Sequence, residues 1–355
     1  MKRLVAVIAI TSTFAIAWTA FEEIPLVVIG QPSMTGKIQS ALEEPFFRQL
    51  KEKTKVNFRT EYTPVNKAGY RDTHELQIIK QGKADIVSLR FPQNSHDEPS
   101  LQAIDLASFV SDFAEAKEVA AAYSDVIDKN LQINFRAKLL GIWSFGPQEL
   151  FCTDPIRRLQ DIRGRRVRTS SKQMSLFIAE LGGKPAVIEF SETLGALRDG
   201  MVDCAITSGA SANSAGWPKY AKYNYPFPIQ FGLNGYAITL AKWNSLNPQQ
   251  QARLREAFNT HIRDIWHYSE FLYGDTGKCY IGMRCKSGPQ YKGIISTIDP
   301  KDNALAINIL QERIIPAFKA ECQVIRASCQ REWDERLRRI LLLSIEKNRR
   351  INKGI

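Results

Sequence analysis

PLVVIG, residues 25–30, is an apolar run with neighbouring β-branched side chains, and it ends in a glycine. A parallel strand that is buried on both faces has this composition. The next segment, SALEEPFFRQLKEKT (40–54), has the apolar spacing of a helix, and KVNFRTEYT (55–63) alternates like a strand. A helical segment (72–82) and a strand (83–90) follow. This β-α-β-α-β order predicts a doubly wound α/β unit with a mainly parallel sheet.

The same order of elements returns in the second half of the chain. RRVRTS (165–170) has a strand pattern, KQMSLFIAELGG (172–183) that of a helix closed by glycine, and KPAVIEF (184–190) again that of a strand. A helix and the strand MVDCAIT (201–207) complete the unit. Two similar half-units predict an α/β protein with two similar lobes.

A single long helix is predicted for residues 246–271. Asn247 stands at its cap, Pro248 in its first turn and Gln250 three residues past the cap, close to a capping box. Apolar side chains recur along one face, and this stripe indicates core packing rather than a ligand site.

The beginning of the chain has the layout of a secretory signal. Lys2 and Arg3 precede an apolar run, and Ala15-Ile16-Ala17 supplies the small residues of a cleavage site. The run is shorter than the ~20 apolar residues of a membrane span. We therefore expect cleavage after Ala17 and a periplasmic or secreted mature protein. The net charge of +11 is compatible with anionic ligands or anionic surfaces and does not choose between them.

The six cysteines are expected to form disulfides in an oxidising compartment, and 15 connectivities are open. Local pairs between Cys279 and Cys285 and between Cys322 and Cys329 fit the spacing, while Cys152 and Cys204 are either bonded or buried singly. A zinc site is the alternative, but the sequence has no C-x-x-C and no histidine near a cysteine.

A search for catalytic motifs is negative. H-E-x-x-H, G-x-S-x-G, the P-loop and a strand-linked G-x-G-x-x-G are all absent from the sequence. The four histidines are scattered and have the spacing of surface or packing residues: His74, His96, His261 and His267. We predict no enzyme activity, no cofactor and no metal site.

The segment LQDIRGRRVRTSSKQMSLFIAELGGKPAVIEFSETLGALRDGMVDCAIT (159–207) resembles the core signature of the solute-binding proteins of tripartite ATP-independent periplasmic (TRAP) transporters, of the dicarboxylate-binding (DctP-like) type. The resemblance covers about residues 24–330. The positions that match the family pattern are Asp161, Gly164, Arg168, Gly182, Pro185, Phe190, Ser191, Glu192, Ala196, Leu197, Gly200, Val202 and Asp203.

The resemblance assigns a role to one of the four arginines in DIRGRRVRTSS (161–171). In similar proteins the arginine that closes the motif forms a salt bridge with the ligand's carboxylate, and the matching residue is Arg168. Its planar fork can meet both carboxylate oxygens. Arg163, Arg165 and Arg166 are expected to be solvated surface charges. A nucleic-acid stripe would need aromatic platforms or a matching fold, and the secretion signal argues further against it.

The resemblance also implies roles for other residues in the second half of the chain. Phe190 matches an aromatic residue that walls the ligand, or it is a core phenylalanine. Thr207 stands where relatives often have asparagine, and Ser208 is beside it; either hydroxyl donates to the ligand or caps a turn. Gln148 replaces a second arginine of the family, which puts a second ligand carboxylate or a sugar-acid ligand in doubt. Trp217 is a cleft aromatic or a packing residue.

In the first half, Arg90 and Glu75 lie at the ends of elements that face the cleft in relatives, and both could equally be surface residues. The resemblance implies two lobes that close around a small organic anion by hinge motion and deliver it to a permease driven by an ion gradient. A protein that presents its ligand to a membrane receptor kinase is the alternative. We expect a monomer that binds no nucleic acid.

The predicted organisation comprises a signal peptide (1–17), a first lobe (24–145 plus 233–272), a second lobe (146–232 plus 273–330) and a basic C-terminal helical extension (331–355).

Overall fold

The computed structural model describes residues 23–33 and 35–353, so the predicted signal peptide lies outside the described residues. In this part of the chain the strands are β1 (Ile24–Gly30), β2 (Phe58–Pro64), β3 (Ile86–Arg90), β4 (Ala137–Ser144), β5 (Gln148–Cys152), β6 (Arg166–Thr169), β7 (Lys184–Val187), β8 (Cys204–Ser208), β9 (Tyr223–Gln230), β10 (Leu233–Thr239) and β11 (Ile294–Ile295).

The α-helices are α1 (Glu44–Arg48), α2 (Leu50–Thr54), α3 (Glu75–Lys80), α4 (Phe91–Asn94), α5 (Phe113–Phe135), α6 (Lys172–Glu180), α7 (Thr193–Arg198), α8 (Gly209–Ser214), α9 (Leu240–Ser245), α10 (Pro248–Tyr280), α11 (Pro300–Ile309), α12 (Ile315–Ile325) and α13 (Cys329–Lys353). The helix predicted for 40–54 is interrupted. It begins as a π-helical turn (Gln39–Glu43) and continues as α1 and α2, with Pro45, which has no N–H to donate, at the junction.

The strands form two sheets of similar topology. The first has the order β2-β1-β3-β10-β4 and the second β11-β9-β5-β8-β6-β7. In the first, β1 is parallel to β2 and β3, whereas β10 is antiparallel to β3 and β4. In the second, β6 is parallel to β7 and β8, whereas β5 is antiparallel to β8 and β9. Each sheet with its helices is called a lobe below. The sheets are mixed rather than mainly parallel, because each takes in a strand that arrives from the other lobe.

The chain crosses between the lobes at residues 145–147 and 231–232. Asp105 holds the second crossing: its carboxylate accepts hydrogen bonds from the backbone N–H of Phe231 (2.8 Å) and Leu233 (2.9 Å). Ser144 Oγ ties the crossings together by donating to the carbonyl of Phe231 (2.5 Å) and accepting from the N–H of Gly146 (2.8 Å). These bonds hold the two crossings together.

The long helix α10 runs from one lobe to the other. It begins with the capping box predicted for Asn247 and Gln250, and it packs against α2 and β4 of the first lobe and against α8 and β11 of the second. It ends at Tyr280, nine residues beyond the predicted 271. Among the residues that the structure describes, no helix combines the length and apolar composition that crossing a bilayer requires.

All six cysteines are paired. The two local disulfides, Cys279–Cys285 and Cys322–Cys329, are those that the spacing favoured, and the third joins Cys152 on β5 to Cys204 on β8. Asp275 lies beside the first of these pairs, but the two sulfurs bond to each other, which removes the thiolates that zinc would need.

The C-terminal extension packs against the first lobe. Trp333 on α13 is buried, and its indole N–H donates to the carbonyl of Ala103 (3.0 Å). Further along the helix, Ser344 donates to the carbonyl of Phe109 (3.3 Å) and Lys347 pairs with Glu115 (2.9 Å). The helix therefore supplies core and surface contacts to the first lobe.

Candidate functional site

Arg168 lies on β6 at the edge of the second lobe that faces the first. Its side chain is 3% exposed. The guanidinium donates from Nε to the carbonyl of Ile188 and from Nη1 to the carbonyl of Ile206, both at 2.9 Å. These two bonds fix its plane and leave Nη2 outside both of them. An arginine held in this way is oriented in advance for an acceptor on its outer edge.

Two aromatic rings, those of Phe190 and Trp217, lie beside the guanidinium carbon of Arg168, at 6.0 and 5.8 Å from the ring centroids. The rings are 5.4 Å apart and both side chains are buried. Burial, and next the charge of Arg90, lower the pKa of Arg168 to about 10. The arginine therefore stays charged at neutral pH in surroundings that strengthen its attraction for an anion.

Arg90 ends β3 in the first lobe. Its Nη1 pairs with Asp72 Oδ2 at 2.6 Å, and both side chains are buried. Its backbone N–H donates to Glu75 Oε2 (2.6 Å), and this oxygen also accepts from Asn94 Nδ2 (2.9 Å). Burial, and next the charge of Asp72, raise the pKa of Glu75 well above its ordinary value. Glu75 thus holds the backbone of Arg90, while Asp72 holds its guanidinium.

Charged groups also join the two lobes directly. Arg71 Nε donates to Glu189 Oε1 at 2.8 Å, and the carboxyl groups of Glu189 and Asp72 are close enough to interact. The pKa of Glu189 is raised by burial and by Asp72. Because two carboxyl groups meet here, the contact is favourable when Glu189 carries a proton.

The loop after β1 makes a second contact between the lobes. Ser211 Oγ on α8 donates to the carbonyl of Thr35 at 3.4 Å. A Cβ on Gly36 would lie 2.5 Å from Ser214 Oγ, so the glycine permits this close approach, and its φ of +98° is one that other residues rarely adopt. The lobes are therefore in contact at two places.

The remaining predicted residues of the second lobe lie at strand ends. Thr207 is buried and follows Ile206, whose carbonyl binds Arg168. Ser208 caps α8, because its Oγ accepts from the N–H of Ser211 (3.2 Å) and donates to Ser211 Oγ (3.0 Å). Of the two roles expected for Ser208, ligand donor or cap, the structure shows the cap. Gln148 lies at the crossing, where Nε2 donates to the carbonyl of Gly146 (2.9 Å).

The structure therefore brings Arg168, Phe190 and Trp217 together, places Arg90 opposite them, and uses Glu75, Ser208 and Gln148 in internal hydrogen bonds. Arg71, Asp72 and Glu189 were not among the residues that the sequence predicted. Glu189 directly precedes Phe190 in the motif and could have been included for that reason. Arg71 and Asp72 lie in a turn with no pattern that marks them.

Residues 31–269 match the family described as bacterial extracellular solute-binding protein, family 7 (DctP). The chain belongs to this family. The resemblance that the motif in residues 159–207 predicted is thus confirmed. The family comprises solute-binding proteins rather than enzymes, and its TRAP members are periplasmic.

This family 7 protein is 24% identical over 178 residues to the sialic acid-binding periplasmic protein SiaP of Vibrio cholerae. The match covers 49% of this chain and 55% of SiaP, so it spans about half the length of that curated relative.

Solved structures resemble this solute-binding protein over most of its length. A TRAP periplasmic solute-binding protein from Desulfovibrio salexigens, with bound orotic acid, has a TM-score of 0.77 at 16% identity, covering 89% of this chain and 99% of that one. A Bordetella pertussis extracytoplasmic solute receptor binding pyroglutamic acid has a TM-score of 0.73 at 16% identity, covering 88% and 99%. These likenesses confirm the two-lobed fold.

Proposed function

We propose that this protein is the solute-binding component of a TRAP transporter, that it captures a small organic anion between its lobes, and that it delivers the anion to a membrane permease driven by an ion gradient. The observation that carries the proposal is the buried guanidinium of Arg168, fixed by two carbonyls and facing the first lobe. Solved neighbours bind pyroglutamate, orotate and galacturonate, each of which has a carboxylate.

Arg90 and Arg168 supply the positive field for this anion. Each is buried, and the charge of Arg90 lowers the pKa of Arg168. An anion placed between them would relieve that repulsion, and it would do so only when the lobes are closed. Ligand binding would therefore shift the population towards the closed form. Phe190 and Trp217 would wall the ligand, and Thr207 would donate to it.

The lobe boundaries 24–145 plus 233–272 and 146–232 plus 273–330 are part of the proposal, as are cleavage of a signal peptide after Ala17 and action as a monomer. The solved neighbours are named as TRAP solute-binding proteins or solute receptors, and this favours the transport function over presentation to a receptor kinase.

The test is a calorimetric titration of the mature protein with mono- and dicarboxylates, keto acids and sugar acids. Arg168→Lys removes the planar fork but keeps the charge, and Arg168→Ala removes both. Loss of a hydrogen bond between charged groups costs about 1.5–3 kcal/mol, so Arg168→Lys should weaken binding by roughly 10- to 150-fold.

Arg166 on the same strand is the matched control. It is about half exposed and pairs with Asp203 (2.6 Å). Arg166→Ala should leave affinity unchanged. Equal affinity in the wild-type and Arg168→Ala proteins would contradict the assignment of Arg168, and turnover of the ligand would contradict a binding function.

A further inference from the structure

A second cavity lies within the second lobe, between β5, β9, α8 and the C-terminal part of α10. Its volume is about 150 Å³. Since a water molecule occupies about 30 Å³ in the liquid, the cavity has room for a few waters or one small organic molecule. None of the eight side chains predicted to bind the transported ligand lines it.

Glu149 supplies the charge of this cavity. It is 5% exposed, and one carboxylate oxygen accepts a hydrogen bond from Asn224 Nδ2 at 3.0 Å. Within the described part of the chain, no lysine, arginine or histidine forms an ion pair with it. A buried carboxylate without a cationic partner is costly, and a cation that entered the cavity would compensate it.

Asn213, which also lines the cavity, has a second unused acceptor. Its Nδ2 donates to the carbonyl of Thr276 (3.2 Å), whereas its Oδ1 is fully buried and has no hydrogen-bond partner among the residues that the structure describes. Most buried polar atoms in proteins are hydrogen-bonded, so this oxygen is an exception beside the cavity.

Three of the other lining residues are aromatic. The rings of Phe151, Tyr273 and Tyr280 line the cavity. Aromatic faces attract ammonium groups. Calcium and magnesium instead require a shell of six or more oxygen ligands, whereas only part of this lining is polar.

We propose that this cavity is a second binding site, which takes a small primary ammonium compound. Its N–H donors would serve the Glu149 carboxylate, and its alkyl group would lie against the aromatic rings. The site is independent of the proposed anion site, since Arg168 is not part of it.

Binding should depend on pH through Glu149. Burial raises the pKa of this carboxyl to about 7. The titratable groups that face it are Tyr273 and Tyr280 on α10, and burial, with a smaller contribution from Glu149, raises the pKa of both hydroxyls, so they are neutral near pH 7. Because the ammonium needs the ionised carboxylate, its affinity should fall as the pH is lowered from 8 to 6.

The experiment is calorimetric titration of the full mature protein with ethylammonium chloride at pH 8 and pH 6, with sodium chloride at equal ionic strength as reference. We expect saturable binding at pH 8 that is at least fivefold weaker at pH 6. Glu149→Gln, which removes a buried charge and should fold, is expected to weaken binding at least tenfold. Glu118→Gln, on the exposed face of α5, is the matched control and should bind like the wild type.

Arg168→Ala should bind ethylammonium normally, which separates this site from the anion site. The proposal would be overturned by the absence of saturable binding at pH 8, by unchanged affinity in Glu149→Gln, or by an equal response to sodium chloride, which would indicate only an inorganic cation or ionic strength.

Discussion

The ion pair between Arg90 and Asp72 has a natural comparison elsewhere in the molecule. Its length is 2.6 Å and its side chains are 7% and 6% exposed. The pair between Arg336 and Asp125, which joins α13 to α5, has nearly the same length, 2.7 Å, but its side chains are 49% and 58% exposed. The two pairs therefore differ mainly in burial, and the substitution of each aspartate by asparagine isolates the effect of burial on stability.

Asp72→Asn leaves the Arg90 charge buried without a counter-ion. Breaking a buried pair costs about 3–5 kcal/mol. The substitution also removes the unfavourable contact between the carboxyl groups of Asp72 and Glu189, which offsets part of the destabilisation. We therefore expect the free energy of unfolding to fall by an amount near the lower limit, about 3 kcal/mol. Asp125→Asn breaks a pair that water already solvates, and we expect a loss below about 1 kcal/mol.

Thermal unfolding followed by circular dichroism measures the difference. At about 2 °C per kcal/mol, Asp72→Asn should lower Tm by about 6 °C and Asp125→Asn by less than about 2 °C. Repeating the Asp125→Asn measurement in ~1 M salt should remove most of its effect, because salt screens exposed charges. Equal decreases in Tm for the two variants would refute the argument that burial sets the strength of the Arg90–Asp72 pair.

Two further predictions concern the contact between the lobes and the core of the first lobe. Because the pKa of Glu189 is raised in the closed form, closing takes up a proton; the closed form should therefore gain population as pH falls through the raised pKa and lose that advantage as pH rises. Small-angle scattering across this range should show a smaller radius of gyration at low pH in the wild type, and a pH-dependence that persists unchanged in Glu189→Gln would exclude this carboxyl as its cause. In the core, Tyr236 and Tyr62 each donate to the buried carboxylate of Glu43 at 2.9 Å, but only Tyr236 is fully buried. Tyr236→Phe should cost about 1.5–3 kcal/mol in urea unfolding and Tyr62→Phe less, because water can replace the Tyr62 hydroxyl; the reverse order would contradict this.

The sequence predicted the motif residues of the candidate site but not the residues that connect the two lobes. Arg168 and Phe190 were found because they stand in a motif of fixed spacing. Asp72 and Glu189 were not predicted, because neither stands out in its own segment. The two side chains come together only where the lobes meet. The Arg71–Glu189 bond likewise joins residues 118 positions apart.

The sequence by itself determined the order of strands and helices, the capped start of α10 and the two local disulfides, because side-chain periodicity, capping and short loops act between residues that are close along the chain. The tertiary structure decided that β10 lies between β3 and β4, that Cys152 pairs with Cys204 across 52 residues, and that Glu149 is buried beside a cavity. Each of these depends on segments that the chain brings together by passing between the lobes more than once. These passages bring distant residues into contact, and burial then shifts the pKa values of their titratable groups.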